Sequence, residues 1–244
     1  ADKRRKLYNG MIKARFISIL NKIQEGNDMF QFQPEKGQMV FRAKVGMKFQ
    51  PIGLIITTDP GSDFWQRTYY GFQNDNAHVL LNSTKEPYFS FTVKASFQSS
   101  TLFDQCGLAI YQNSGSWAKA CIEYHDAKES WLGSVVTNRG YSDWSTSEIS
   151  SSVTSVYYRL SRRESDFCFE NSFDGIRFHQ MRIFHLEEGS GEVHFGLMAC
   201  SPGKGSFQAV FTEMNVTECL WKALLKHIDK SPDADSQRLG FFSA

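Results

Sequence analysis

The chain has 244 residues, with 27 Lys and Arg against 26 Asp and Glu, 41% hydrophobic residues and 14% aromatic ones. That length buries a sizeable core without disulfide staples, and no run of 18 apolar residues offers a membrane span. A net charge of +1 with no recognised binding motif argues against nucleic acid as a partner.

The first 30 residues hold seven Lys and Arg and three Asp and Glu, net +4, so the remaining chain is net −3. They open on charge (Asp2, Lys3, Arg4, Arg5, Lys6) without the apolar stretch of a signal peptide, so neither export nor membrane crossing is expected. From Leu7, the apolar residues Leu7, Tyr8, Met11, Ile12, Phe16, Ile19, Leu20 and Ile23 recur at helical spacing, and Gly26 supplies a stop. Residues 1–30 therefore form a predicted amphipathic helix unit, its stripe expected to pack internally. A basic helix of this kind also suits an anionic surface or a partner's groove.

The middle of the chain alternates with a period of two. In residues 89 to 97, Phe89, Phe91, Val93, Ala95 and Phe97 share one face while Ser90, Thr92, Lys94 and Ser96 share the other. Further strands are predicted at 105 to 112, 118 to 125, 131 to 137, 156 to 163, 166 to 173, 176 to 185, 193 to 200 and 207 to 213. So many short strands without intervening helices predict a sandwich or barrel. Asp174-Gly175 reads as a two-residue hairpin turn, and Ser201-Pro202-Gly203-Lys204-Gly205 closes the next connection. Leu220, Trp221, Leu224, Leu225 and Ile228 predict a second amphipathic helix over 217 to 230, followed by a tail. The five cysteines, Cys106, Cys121, Cys168, Cys200 and Cys219, are odd in number and mostly sit in apolar runs, so reduced core thiols and a cytoplasmic setting are expected.

A string from Thr57 to Phe72, TTDPGSDFWQRTYYGF, is followed in order by Gln105-Cys106-Gly107-Leu108, Trp117 to Tyr124 (WAKACIEY), Ser142-Asp143-Trp144-Ser145 and Gly196 to Pro202 (GLMACSP). Together these strings resemble the regulation-of-enolase family of concanavalin A-like jelly-roll domains. The resemblance covers roughly residues 40 to 215. It implies an all-β jelly-roll sandwich, placed here at residues 31–215; the N-terminal helix at 1–30 and the C-terminal helix and tail at 216–244, read from periodicity alone, flank it outside the matched region. It implies a cytosolic setting and no established activity. Gln66, Tyr69 and Asn76-Ala77-His78 depart from the family pattern.

Jelly rolls of this type use a concave face and its rim loops. On the strand near position 120, Ala118, Ala120, Ile122 and Tyr124 point one way, and Lys119, Cys121, Glu123 and His125 the other. Lys119 and Glu123 then stand about 13 Å apart, too far for an ion pair but suited to two contacts along a polar trough. Trp65, Tyr70, Trp131 and Trp144 offer flat surfaces for stacking sugar rings. With Arg67, His78, Gln105 and Asp143 they complete the candidate ligand-binding set. Asp63 and Arg67 are close enough in sequence to form a loop clamp instead.

Catalytic signals are weak. The paired acids of related glucanases are missing, since Glu164 to Glu170 places Cys168 and Phe169 where the second glutamate would stand, although Glu123 with Asp143 remained a pair to test. The six histidines form no His-Glu-x-x-His, no two cysteines have zinc spacing, and Gly-x-Ser-x-Gly is missing, so no metal, cofactor or catalytic residue is assigned. A loop calcium held by Asp59 or Asp63 would need six to eight oxygens that the sequence does not locate. Three functions follow in order: a non-catalytic lectin-like module for a carbohydrate or sugar phosphate, a regulatory protein contacting a metabolic enzyme such as enolase, and a glycoside-active enzyme.

Overall fold

The alternation at residues 89 to 97 becomes a strand whose phenylalanines, with Val93 and Ala95, all point into one core. In the computed structural model, which describes residues 53–222, fourteen strands are present. In chain order they are β1 (Gly53–Thr57), β2 (Phe64–Gln66), β3 (Gln73–Asp75), β4 (His78–Thr84), β5 (Tyr88–Phe97), β6 (Gln105–Asn113) and β7 (Ser116–Tyr124). There follow β8 (Glu129–Asn138), β9 (Tyr141–Ser150), β10 (Ser155–Arg163), β11 (Asp166–Ser172), β12 (His179–His185), β13 (Val193–Cys200) and β14 (Gln208–Thr217).

The strands make two six-stranded antiparallel sheets, ordered β1-β14-β5-β10-β11-β12 and β4-β13-β6-β7-β8-β9, with β2 and β3 as a separate hairpin. This is the expected jelly-roll sandwich. Its core lies between the sheets, where Phe89, Phe91, Phe169 and Phe211 of the first meet Leu108, Ile122 and Phe195 of the second. Each such fully buried side chain contributes about 1.5–3 kcal/mol relative to exposure.

A second apolar cluster lies on the outer face of the second sheet. There Phe64 and Trp65 from β2 pack on Val79, Tyr111, Trp117, Cys121, Val135, Met198 and Cys200. The β2–β3 hairpin therefore covers much of the face expected to be an open trough. The cause is visible in β4, β6 and β7, whose residues are apolar or buried on both faces, so that face needs its own cover. The hairpin is fastened by Gln66 N–H donating to Ser142 Oγ (2.9 Å) and by Arg67 Nη1 donating to Gly140 O (2.7 Å).

Two expectations about connections are corrected. The β11–β12 link is a six-residue loop, not a two-residue turn. Asp174 Oδ1 accepts from the backbone of Ile176 and Arg177 and from Ser172 Oγ, and only Gly175 takes positive φ, so the aspartate side chain organises a wider loop. Among the described residues expected to open the C-terminal helix, Thr217 ends β14 and 218–222 continue without a helical turn. There Leu220 N–H donates to Ser90 Oγ (2.8 Å), laying the segment on the outer face of the first sheet. The rest of that predicted helix, like the one at residues 7–25, lies outside the described residues.

Candidate functional site

Strand pairing fixes which side chains share the outer face of the second sheet. One transverse row runs Ala109, Lys119, Val135, Trp144, the next Gly107, Cys121, Gly133, Thr146, and a third Gln105, Glu123, Trp131, Glu148. The middle row has glycines on both sides of Cys121, and its low relief lets long side chains from the flanking rows reach toward each other.

Lys119 extends its ammonium to Gln105 Oε1 (2.8 Å) and to Asp63 Oδ1 (3.5 Å), the latter supplied by the loop leading into β2. Asp63 is itself fixed: its Oδ1 accepts from Phe64 N–H (2.7 Å), and its own N–H donates to Asn76 Oδ1 (2.9 Å). Cys121 Sγ lies 3.6 Å from Gln105 Oε1 and 3.5 Å from Glu123 Oε1. Glu123 also accepts from Trp144 Nε1 (3.2 Å). Lys119 and Glu123 thus form no direct ion pair, as their spacing requires, but Gln105 and Cys121 connect them. Both are only 2% exposed, so the polar trough is a closed cluster rather than an open one.

Burial favours the neutral forms of Glu123, Lys119, Cys121 and Cys200. It raises the Glu123 carboxyl to about 7, against the opposing pull of Lys119, the Cys121 thiol and the Trp144 indole. Burial pulls Lys119 downward, yet Asp63 and the other acidic groups around it, Glu123 among them, together outweigh burial and hold the ammonium above its ordinary range. Burial lifts the Cys121 and Cys200 thiols well above their usual range, which makes them poor nucleophiles. The cluster is a charged Lys119–Asp63 pair beside an acid that titrates near neutrality. Ionisable clusters of this type are found disproportionately at functional sites.

The Glu123 carboxylate is seated over Gly133, where a β-carbon would overlap its Oε1. Above this seat stands an aromatic rim. Phe103, Trp131 and Trp144 form a triangle with ring centroids 5.9–6.4 Å apart, all three half-buried. Trp65 approaches Trp144 edge-on at 6.2 Å, and Tyr70, 51% exposed, meets Trp65 at 5.5 Å. Arg67, Tyr69 and Phe103 take positive φ beside or within this rim. Such backbone costs of order 1–3 kcal/mol per residue and persists where surrounding structure holds it, often at functional sites.

Of the candidate residues, Trp65, Tyr70, Gln105, Lys119, Glu123 and Trp144 come together here. Three stand elsewhere. Asp143 pairs with the core residue Val136, so it points to the opposite face from Glu123, and it binds Arg182 Nη2 of β12 at 2.5 Å. Glu123 and Asp143 therefore do not form a facing acid pair. His78 sits at the start of β4 with Nε2 3.2 Å from Asp59 Oδ2. Arg67 does not clamp Asp63; it faces Gly140 O and the Tyr141 ring. Asp63 joins the cluster through the loop into the β2 hairpin and Cys200 through the pairing of β13 with β6, where it stands level with Gln105; neither long-range pairing is readable from local periodicity, although Asp63 lies inside the TTDPGSDFW string.

Comparison with known proteins gives consistent results. The model of a family described as a protein of unknown function, DUF1349, matches residues 46–219. "Regulation of enolase protein 1" of Saccharomyces cerevisiae is 34% identical over 179 residues, covering 72% of this chain and 87% of that protein. A crystal structure of a functionally unknown protein from Saccharomyces cerevisiae is 29% identical with a TM-score of 0.67, covering 72% of this chain and 94% of that one. A xylan β-1,4-xylosidase from Bacillus halodurans shares the fold at 12% identity and a TM-score of 0.56, over 68% of this chain but only 33% of the enzyme.

Proposed function

The chain belongs to the DUF1349 family, the regulation-of-enolase group of jelly-roll domains, and from that premise we propose that it is a non-catalytic, lectin-like module binding a carbohydrate against its aromatic rim. One observation carries this reading: Trp144 both walls the partly exposed rim and donates its indole N–H to Glu123, tying a stacking surface to a buried polar anchor. Sugar rings present apolar faces that suit such surfaces. The Lys119 ammonium is already neutralised by Asp63, which favours a neutral sugar over a sugar phosphate. Hydrolysis is disfavoured because Asp143 and Glu123 occupy opposite faces. Five unpaired thiols support a cytoplasmic setting.

Glycan-array screening followed by calorimetry tests the proposal. Binding that Trp144→Ala reduces at least tenfold supports it, and a blank broad array removes it. A second reading, contact with a metabolic enzyme, is favoured by the name of the yeast relative and by Tyr69, whose side chain is 93% exposed beside Tyr70. Sedimentation of the chain with purified enolase separates the two readings.

A further inference from the structure

Resting on the carbohydrate reading, we infer that the rim takes a neutral, soluble oligosaccharide of three or more sugar units, running along β8 and β9, rather than a single sugar or a flat polysaccharide surface. The rings form a track. From the exposed Tyr70 the path crosses Trp65, buried in the second cluster at 8% exposure and so only its floor, to the half-buried Trp144, Trp131 and His125, with successive centroids 5.5, 6.2, 5.9 and 4.5 Å apart. Strand register sets its direction, because Trp144 stands level with Lys119, Trp131 level with Glu123, and His125 lies just beyond on the β7 chain. A lone sugar would cover one or two of the partly exposed rings and leave the rest of the path bare.

The edges of the three indoles are already engaged. Trp65 donates to Thr68 O (3.1 Å), Trp144 to Glu123 Oε1 and Trp131 to Glu129 Oε1 (3.2 Å). The rings are thereby held in place before any ligand arrives, and preorganisation of this kind lowers the cost of binding. Along the track Trp65 and Trp144 meet at 81° and Trp144 and Trp131 at 56°, so the rings do not lie in one plane. That shape fits a single twisted chain and rejects a crystalline face. Charge narrows the class further. Glu129 sits at Trp131, and Glu148 stands directly across from Trp131 on β9, exposed, so acidic polysaccharides are repelled while hydroxyls find acceptors.

The test is calorimetry of the full chain against malto-, xylo- and cello-oligosaccharides from one to six units, with oligogalacturonate as the anionic control and a pull-down on microcrystalline cellulose. The expected result is one neutral series whose affinity rises tenfold or more from the disaccharide to a plateau at longer chains. Oligogalacturonate and the crystalline solid should show no binding. Tyr70→Ala and Trp131→Ala, at separate points of the track, should each bring the plateau to a shorter chain while circular dichroism stays unchanged. Equal affinity for one unit and six, or binding to the crystalline solid or to oligogalacturonate, overturns the extended-chain inference and leaves sugar recognition standing. Failure of all three neutral series to bind, together with a blank glycan array, overturns both.

Discussion

Trp144 and Glu123 stand on the same sheet face with the Cys121–Gly133 row between their levels, and the indole N–H of the first donates to the carboxylate of the second across 3.2 Å. This bond links a partly exposed ring to a group that water scarcely reaches. Ring position and carboxyl ionisation are therefore coupled, and the first prediction concerns that ionisation.

Glu123 is raised to about 7 from an ordinary 4.5. Because the folded value is the higher one, the stability linked to this proton is fully present below about pH 4.5 and is lost as pH rises through 7. The difference corresponds to about 3 kcal/mol by pH 9. Urea titrations of the wild type should show unfolding free energy declining between pH 5 and 9, and Glu123→Gln, which keeps an acceptor for Trp144, should flatten that decline. A decline of unchanged size in the variant would assign it to another group.

Gly133 gives the Glu123 carboxylate its seat. Gly133→Ala must displace that carboxylate, at a cost of about 1–3 kcal/mol typical of overpacking. Thermal melts should show the loss, and it should shrink in the Gly133→Ala, Glu123→Ala double variant, where the clash is gone. Purely additive losses would mean the two residues act separately.

Arg162 is 1% exposed and donates to four carbonyls: Glu164 (2.6 Å), Glu86 (3.1 Å), Gly189 and Gly191 (both 2.9 Å). One guanidinium thus holds together the β4–β5, β10–β11 and β12–β13 connections. Arg162→Met leaves these acceptors short of donors and should cost about 3–5 kcal/mol. Lysine at this position should recover little, because a point ammonium cannot reproduce the planar fork. Chemical denaturation of both variants measures this.

Tyr158 places its hydroxyl in the core between the sheets without a hydrogen-bond partner among the described residues. Removing an unsatisfied buried polar group relieves its desolvation cost, so Tyr158→Phe should be neutral or stabilising by about 1 kcal/mol. A clear loss in its unfolding free energy would reveal a partner for the hydroxyl.

The sandwich was legible in the sequence wherever a strand has one dry face and one wet face. Strands β5 and β10 alternate cleanly because their inner residues meet the core while Lys94 and Arg159 face outward. Where both faces are covered, as at Val79-Leu80-Leu81 of β4, alternation vanishes and the strand went unread. β9 escaped for the opposite reason, as most of this edge strand is exposed on both sides and reads as Ser and Thr. The Lys119 and Glu123 face was readable from period two. Its closure was not, because Asp63 and Trp65 reach it through a hairpin whose contacts with β9 span some 75 residues of sequence.

That hairpin belongs to neither large sheet. It is held by a few hydrogen bonds at its tip and by Phe64 and Trp65 at its base, so it can detach while both sheets persist. Its backbone amides should then exchange with deuterium sooner than those of β6 and β7 beneath. Solvent would meet the Lys119 ammonium through a local fluctuation rather than through loss of the fold.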